Sequence, residues 1–135
     1  MPRFLIPGLV VLTLAGCQVA PDRLPPELPE AVGPRPYPEL LTRARVQAKV
    51  ANEAFYVNRW ADLEDAARGL EQTARYLSKA EEVPQARKQA ILTAGEDLAK
   101  EAALLRKAAM EKDEKKALDV MTRVNFKVRQ LRLDE

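Results

Sequence analysis

From Glu39 to Glu135 the chain holds eighteen Ala but only two Gly, Gly69 and Gly95, and one Pro, Pro84. That shortage of helix breakers narrows the fold more than any other feature. Ala is the strongest helix former, because it loses no side-chain entropy on entering a helix. No stretch alternates apolar and polar residues with the period of a strand. Apolar residues instead recur at spacings of three and four, in four blocks. The first runs Leu41, Ala44, Ala48, Ala51, Phe55, and the second Trp60, Leu63, Ala67, Leu70, Ala74, Leu77. The third runs Ile91, Ala94, Leu98, Ala102, Leu105, Ala109, and the fourth Ala117, Met121, Val124, Val128, Leu131. Each block is one apolar stripe on one helix, which predicts helices over 39–56, 59–80, 84–110 and 113–133.

Boundary residues agree with this division. Asn58 suits the N-cap of the second helix, with Asp62 in its first turn. Pro84 suits the first turn of the third helix and Asp113 the start of the fourth. Acid-before-base pairs four apart, Glu64 with Arg68, Glu71 with Arg75, Glu96 with Lys100 and Asp119 with Arg123, lace the outward faces. Each contributes about 0.2–0.5 kcal/mol in the favoured order. Four helices on short connections predict an all-α fold, an antiparallel up-down-up-down four-helix bundle with left-handed, coiled-coil-type packing.

The grammar upstream is different. Seven of the ten prolines fall between Pro21 and Pro38. Proline fixes φ and disfavours helix in the residue before it, so 17–38 reads as a Pro-rich linker. At about 3.1 Å per residue, an extended Gln18-to-Pro38 segment would reach roughly 65 Å and hold the helical domain, 39–135, off a surface. Pro34-Arg35-Pro36-Tyr37-Pro38 also has the form of a docking peptide for an aromatic groove.

Before the linker, Arg3 opens a short basic stretch, and Phe4, Leu5, Ile6, Leu9, Val10, Val11, Leu12 and Leu14 form an apolar one too short to span a bilayer as a helix. It ends in Leu14-Ala15-Gly16-Cys17, which resembles the lipobox of bacterial lipoproteins. The resemblance implies a signal peptide over 1–16, cleavage between Gly16 and Cys17, and acylation of Cys17 with diacylglycerol and palmitate-type chains. Gln18 in place of Asp implies, by the enterobacterial sorting pattern, the periplasmic face of the outer membrane. The chain's attachment to the cell envelope would then be through lipid, since several acyl chains hold far more firmly than one.

Much chemistry is closed to this composition. There is no His and a single Cys, which removes imidazole acid–base catalysis, His-assisted nucleophiles, internal disulfides and the usual zinc sites. Adjacent carboxylates at Glu64-Asp65, Glu81-Glu82, Glu96-Asp97 and Asp113-Glu114 point about 100° apart on a helix and read as solvated faces. No catalytic residue, metal ligand or cofactor is assigned. Lys and Arg total 22 against 20 Asp and Glu, a balance that does not suit nucleic-acid binding. Candidate sites are few. Phe55, Tyr56 and Trp60 read as an aromatic plug at the first turn. Gly69 and Gly95 mark either a close helix approach or a void, and in the second case Trp60, Gly69, Leu70, Gly95 and Leu98 would line a pocket. Arg123, Lys127, Arg129 and Arg132 form a basic strip for an acidic partner or lipid headgroups, or complement a helix C-terminus. Leu40 with Val50, or Val46, offers a residual stripe for a homo-oligomer.

The Asn58-Arg59-Trp60 opening of the second helix, the Ala-rich repeats after it, the Lys112-Asp113 turn and the Ala/Leu/Val last helix resemble the cytochrome c-prime and cytochrome b562 type of bundle. That family implies a four-helix fold and a haem held by Cys-x-x-Cys-His, or at least a His, on the last helix. The matching stretch here reads Asn125-Phe126-Lys127-Val128-Arg129, without thiol or imidazole. The resemblance therefore implies the fold without the activity. The expected function is a lipid-anchored, non-catalytic binding or structural helical module of the envelope, with an envelope protein as its expected partner. Its alternatives are a haem-binding electron-transfer protein and a carrier of a small apolar ligand.

Overall fold

The computed structural model describes residues 23–28 and 34–132. The signal segment, the cleavage site and Cys17 lie outside the described residues. The described chain is all-α: α1 spans Tyr37–Tyr56, α2 Trp60–Tyr76, α3 Lys88–Glu111 and α4 Glu114–Gln130. Two single 3-10 turns, Leu77–Lys79 and Gln85–Arg87, tighten the connection from α2 to α3.

Helix ends differ from the expected ones for local reasons. α2 stops at Tyr76, four residues early, because Leu77–Lys79 winds into the tighter 3-10 form before Ala80 extends. Pro84 precedes a 3-10 turn instead of opening α3. Asn58 is not a cap: it sits at φ 58°, the left-handed turn position that Asn tolerates, and Arg59 holds the N-cap position with no side-chain cap bond. Asp113 does cap α4, its Oδ1 accepting from the Lys116 N–H at 3.0 Å. Lys112, at φ 51°, supplies the left-handed residue that ends α3.

The four stripes face one core. Every position in them is buried except Trp60, which is half-buried. Leu63, Leu70, Leu98, Leu105 and Val124 are fully enclosed. α2 packs most extensively on α3 and α1 on α2, while α1 meets α4 over a shorter seam. Cross-helix partners include Gln47 with Thr73, Glu71 with Arg106, Glu101 with Arg123 and Asp97 with Lys127. All these pairs join consecutive helices.

The described part of the linker is docked, not extended away from the helices. Leu28 is buried, its N–H bonding Gln72 Oε1 at 3.0 Å and its carbonyl accepting from Gln72 Nε2 at 2.7 Å. Arg43 donates to the Pro26 carbonyl, and Leu24 packs against the core beside Val50 and Ala54. Nearer α1, the Glu81 N–H bonds the Arg35 carbonyl at 2.9 Å and the Tyr37 N–H bonds the Glu81 carbonyl at 2.8 Å. Proline explains the extended form, and Leu24 and Leu28 explain the docking: two apolar side chains in an otherwise polar tract find a greasy groove. Of the residual stripe, Leu40 is fully buried in the chain's own core, while Val46 and Val50 are half-buried.

Tyr37 closes the fold. Its ring is fully buried, and its hydroxyl donates to the Leu131 carbonyl at the end of α4. The docking-peptide tyrosine thus inserts into its own domain. Burial holds the phenol pKa above its usual value, outweighing the opposing pull of Arg87 and Arg45. A raised pKa means that the native state favours the neutral phenol, so this group's stabilisation is complete below about pH 10 and is lost as pH rises beyond it. Alkaline titration followed by helix circular dichroism should show unfolding coupled to tyrosinate absorbance. Tyr37→Phe should remove that coupling and cost about 0.5–1.5 kcal/mol at neutral pH.

Candidate functional site

Three polar residues lie inside the apolar stripes: Gln47, Glu71 and Thr73. Gln47 and Thr73 were not visible to the apolar pattern, and Glu71, expected on an outward face beside Arg75, keeps that partner but is buried between α2 and α3. Thr73 Oγ1 donates to Gln47 Oε1 at 2.8 Å, joining α2 to α1. The Glu71 carboxylate, 8% exposed, receives Arg75 at 2.5 Å from its own helix and Arg106 at 3.4 Å from α3. A nearly buried carboxylate stripped of both guanidinium partners would be strongly destabilising, so this triad fixes the register of α2 on α3. These are structural pins, each satisfied internally.

The two glycines are points of close approach. A Cβ on Gly95 would stand 2.9 Å from Leu77 Cβ and 3.3 Å from the Ala74 carbonyl oxygen; one on Gly69 would stand 2.9 Å from Gln47 Nε2. The Leu77 side chain and the Gln47 amide fill the places where a void would sit. Leu70 and Leu98 are enclosed in the core, and Trp60 meets Phe55 edge-to-face at 6.1 Å. The aromatic plug is thus Phe55 with Trp60. Tyr56 also meets Phe55 edge-to-face, at 5.4 Å, but lies on the solvent side of the cluster and is 72% exposed.

The basic residues of α4 divide. Arg123 binds Glu101 at 2.9 Å and Asp119 at 2.5 Å, bonds that raise its guanidinium pKa still further, and Lys127 binds Asp97 at 3.1 Å. Both thereby tie α4 to α3. Arg129 and Arg132 remain exposed and line, with Arg87, a groove of about 740 Å³ between the start of α3 and the end of α4. Arg87 reaches across to the Gln130 carbonyl at 3.4 Å. This end of the molecule is cationic, and the charge also complements the α4 C-terminus.

The α1–α4 seam holds the second open groove, about 750 Å³, with Arg45, Tyr56, Val57 and Arg129 among its walls. Across it Asn52 and Asn125 exchange reciprocal amide bonds of 3.0 Å, and Asn52 also donates to the Ala48 carbonyl at 2.8 Å. Asn125 opens the Asn125-Phe126-Lys127-Val128-Arg129 stretch of the last helix. Phe126 there is half exposed, Lys127 is ion-paired and Val128 is buried. Met121 is buried in the core, and Met110 stands exposed at the end of α3. The stretch from Asn125 to Arg129 carries no imidazole or thiolate, and the thioethers of Met121 and Met110, one enclosed in the core and one exposed at the end of α3, are not placed as a pair of axial haem ligands. Among the described residues, no three His, Cys, Asp or Glu side chains gather as a metal site.

Compared with known proteins, the chain matches no family model, no curated protein and no solved structure.

The glycine geometry makes a paired prediction. Gly95→Ala meets a Cβ and a backbone oxygen that cannot move independently of α2, so it should destabilise by about 1–3 kcal/mol in urea unfolding. Gly69→Ala meets only the amide tip of Gln47, but that amide is buried and bonded to Thr73, so the helix propensity gained, about 1 kcal/mol, should only partly offset its displacement and leave a destabilisation smaller than that of Gly95→Ala.

Proposed function

We propose that this protein is a lipid-anchored lipoprotein of the bacterial envelope, facing the periplasm from the outer membrane, and that its helical domain is a non-catalytic binding or structural module. The observation that carries this reading is the placement of the only thiol, Cys17, directly after Leu14-Ala15-Gly16 at the end of an apolar run. No described helix is long and apolar enough to cross a membrane; on this reading acyl chains on Cys17 supply the attachment. The cross-helix pairs support an antiparallel up-down-up-down bundle: Tyr37 at the start of α1 reaches Leu131 after α4, and Gly95 early in α3 lies against Ala74 and Leu77 at the end of α2. We read the domain as a haemless bundle of the cytochrome c-prime type in architecture alone. The internally satisfied polar groups support a scaffold role, because groups engaged in holding helices together are not poised for chemistry.

Metabolic labelling with fatty acid tests the anchor. The wild-type chain should carry label and sediment with membranes, and Cys17→Ser should lose both while its helical circular dichroism is retained. Label persisting on Cys17→Ser would overturn the reading. Native mass of the extracted protein should equal acylated residues 17–135, and added mass with visible absorption of haem would replace the haemless assignment.

A further inference from the structure

We propose that the end of the helical domain carrying the α1–α2 and α3–α4 turns rests on the phospholipid surface, inserting Tyr56, Val57 and Met110 among the headgroups. This inference rests on acylation of Cys17 and goes beyond it, since an anchor alone does not say which face meets the bilayer.

The first observation is where the linker enters. Arg23 and Leu24 sit in a cleft with Val50, Glu53, Ala54 and Arg59, at the α1–α2 turn. Beyond them Pro26 lies by Arg43 and Leu28 by Gln72, and toward the opposite end Pro36 sits beside Glu81. The chain therefore comes in from its N-terminus at the α1–α2 turn. Only six residue steps separate Cys17 from Arg23, a span of at most about 20 Å even fully extended. Strap docking replaces the 65 Å reach of a free linker with one shorter than α1, whose 20 residues extend about 30 Å.

The second observation is where apolar side chains remain in water. Six large hydrophobics are exposed among the described residues: Tyr56, Val57, Leu104, Met110, Leu118 and Phe126. Tyr56 and Val57 flank the first turn and Met110 the last residues of α3, all more than half exposed. Leu104 and Leu118 lie within two helical turns of the α3–α4 turn. Phe126 stands more than three helical turns into α4 from the α3–α4 turn. Tyrosine suits a headgroup boundary, with an apolar ring and a polar tip.

Charge argues for the mode of contact. Near these turns Arg59 pairs with Asp62, and Lys116 with Glu111 and Asp113, so attraction to anionic lipid is largely cancelled and apolar insertion carries the contact. The cationic groove of Arg87, Arg129 and Arg132 lies between the start of α3 and the end of α4, with Arg129 also bordering the α1–α4 groove that Tyr56 and Val57 line.

The test uses the acylated full chain on vesicles of phosphatidylethanolamine and phosphatidylglycerol. With the Cys17 thiol consumed by lipid, Val57→Cys, Met110→Cys and Lys79→Cys each offer one free thiol for an environment-sensitive fluorophore. Labels at 57 and 110 should be quenched by spin-labelled lipid and insensitive to salt; the label at 79, at the far end, should not be quenched. Equal quenching at all three positions, or none at 57 and 110 on a protein whose acylation is verified, overturns the orientation while leaving the anchor intact. So does protection of 57 and 110 by a second copy or another protein in place of lipid. Absence of acylation sinks the anchor itself. Releasing the strap with Leu24→Asp and Leu28→Asp, checked for retained helicity and acylation, should lose the quenching at 57; unchanged quenching would show that the strap does not set the orientation.

Discussion

Alanine supplies twelve of the twenty-eight buried apolar positions among the described residues, and a core so poor in side-chain volume closes only if the helices approach closely. Everything else in the domain follows from that demand. Where α3 comes nearest to the end of α2, even a methyl group is too much, and Gly95 stands there. Where α2 nears α1, Gly69 leaves room for the Gln47 amide. Small side chains on both surfaces make the approach attractive through many short dispersion contacts and leave little slack for cavities.

Close packing of small residues has a weakness, because Ala-lined helices can slide along one another with little change in buried area. The polar pins answer it. Gln47 with Thr73, Glu71 between Arg75 and Arg106, and the Asn52–Asn125 amide exchange each have one geometry that satisfies the donors and acceptors. A slip by one turn would strand at least one buried polar group, at a cost of about 1–3 kcal/mol each. Position along the helix is therefore set by hydrogen bonding, and distance between helices by alanine and glycine.

The sequence made the helices legible because their signal is local: the stripes from Leu41 to Leu131 have a single reading at 3.6 residues per turn, and Asp113 is a cap by chemistry alone. It hid what depends on residues far apart in the chain. Tyr37 sits in a proline tract, and nothing near it announces a carbonyl 94 residues on. Leu24 and Leu28 look incidental until Gln72 and Val50 are seen to receive them. The basic strip on α4 was visible as four residues, yet the acids that take up Arg123 and Lys127 come from α3 and α4 together, and Arg87, which joins Arg129 and Arg132, belongs to another block. For the glycines the sequence left two readings open, and only the neighbours, Gln47 and Leu77, select close approach.

The strap has a mechanical consequence. It lies along the helices, entering at the α1–α2 turn, while the chain leaves α4 near Tyr37 at the opposite end. A pull between a fixed N-terminus and anything bound beyond Leu131 runs parallel to the strap and loads it in shear. The Leu28–Gln72 pair, the Arg43 bond to Pro26 and the seated Leu24 then bear the load together and do not peel away in turn. Such an arrangement resists tension well while remaining easy to open sideways, the property of a mooring line.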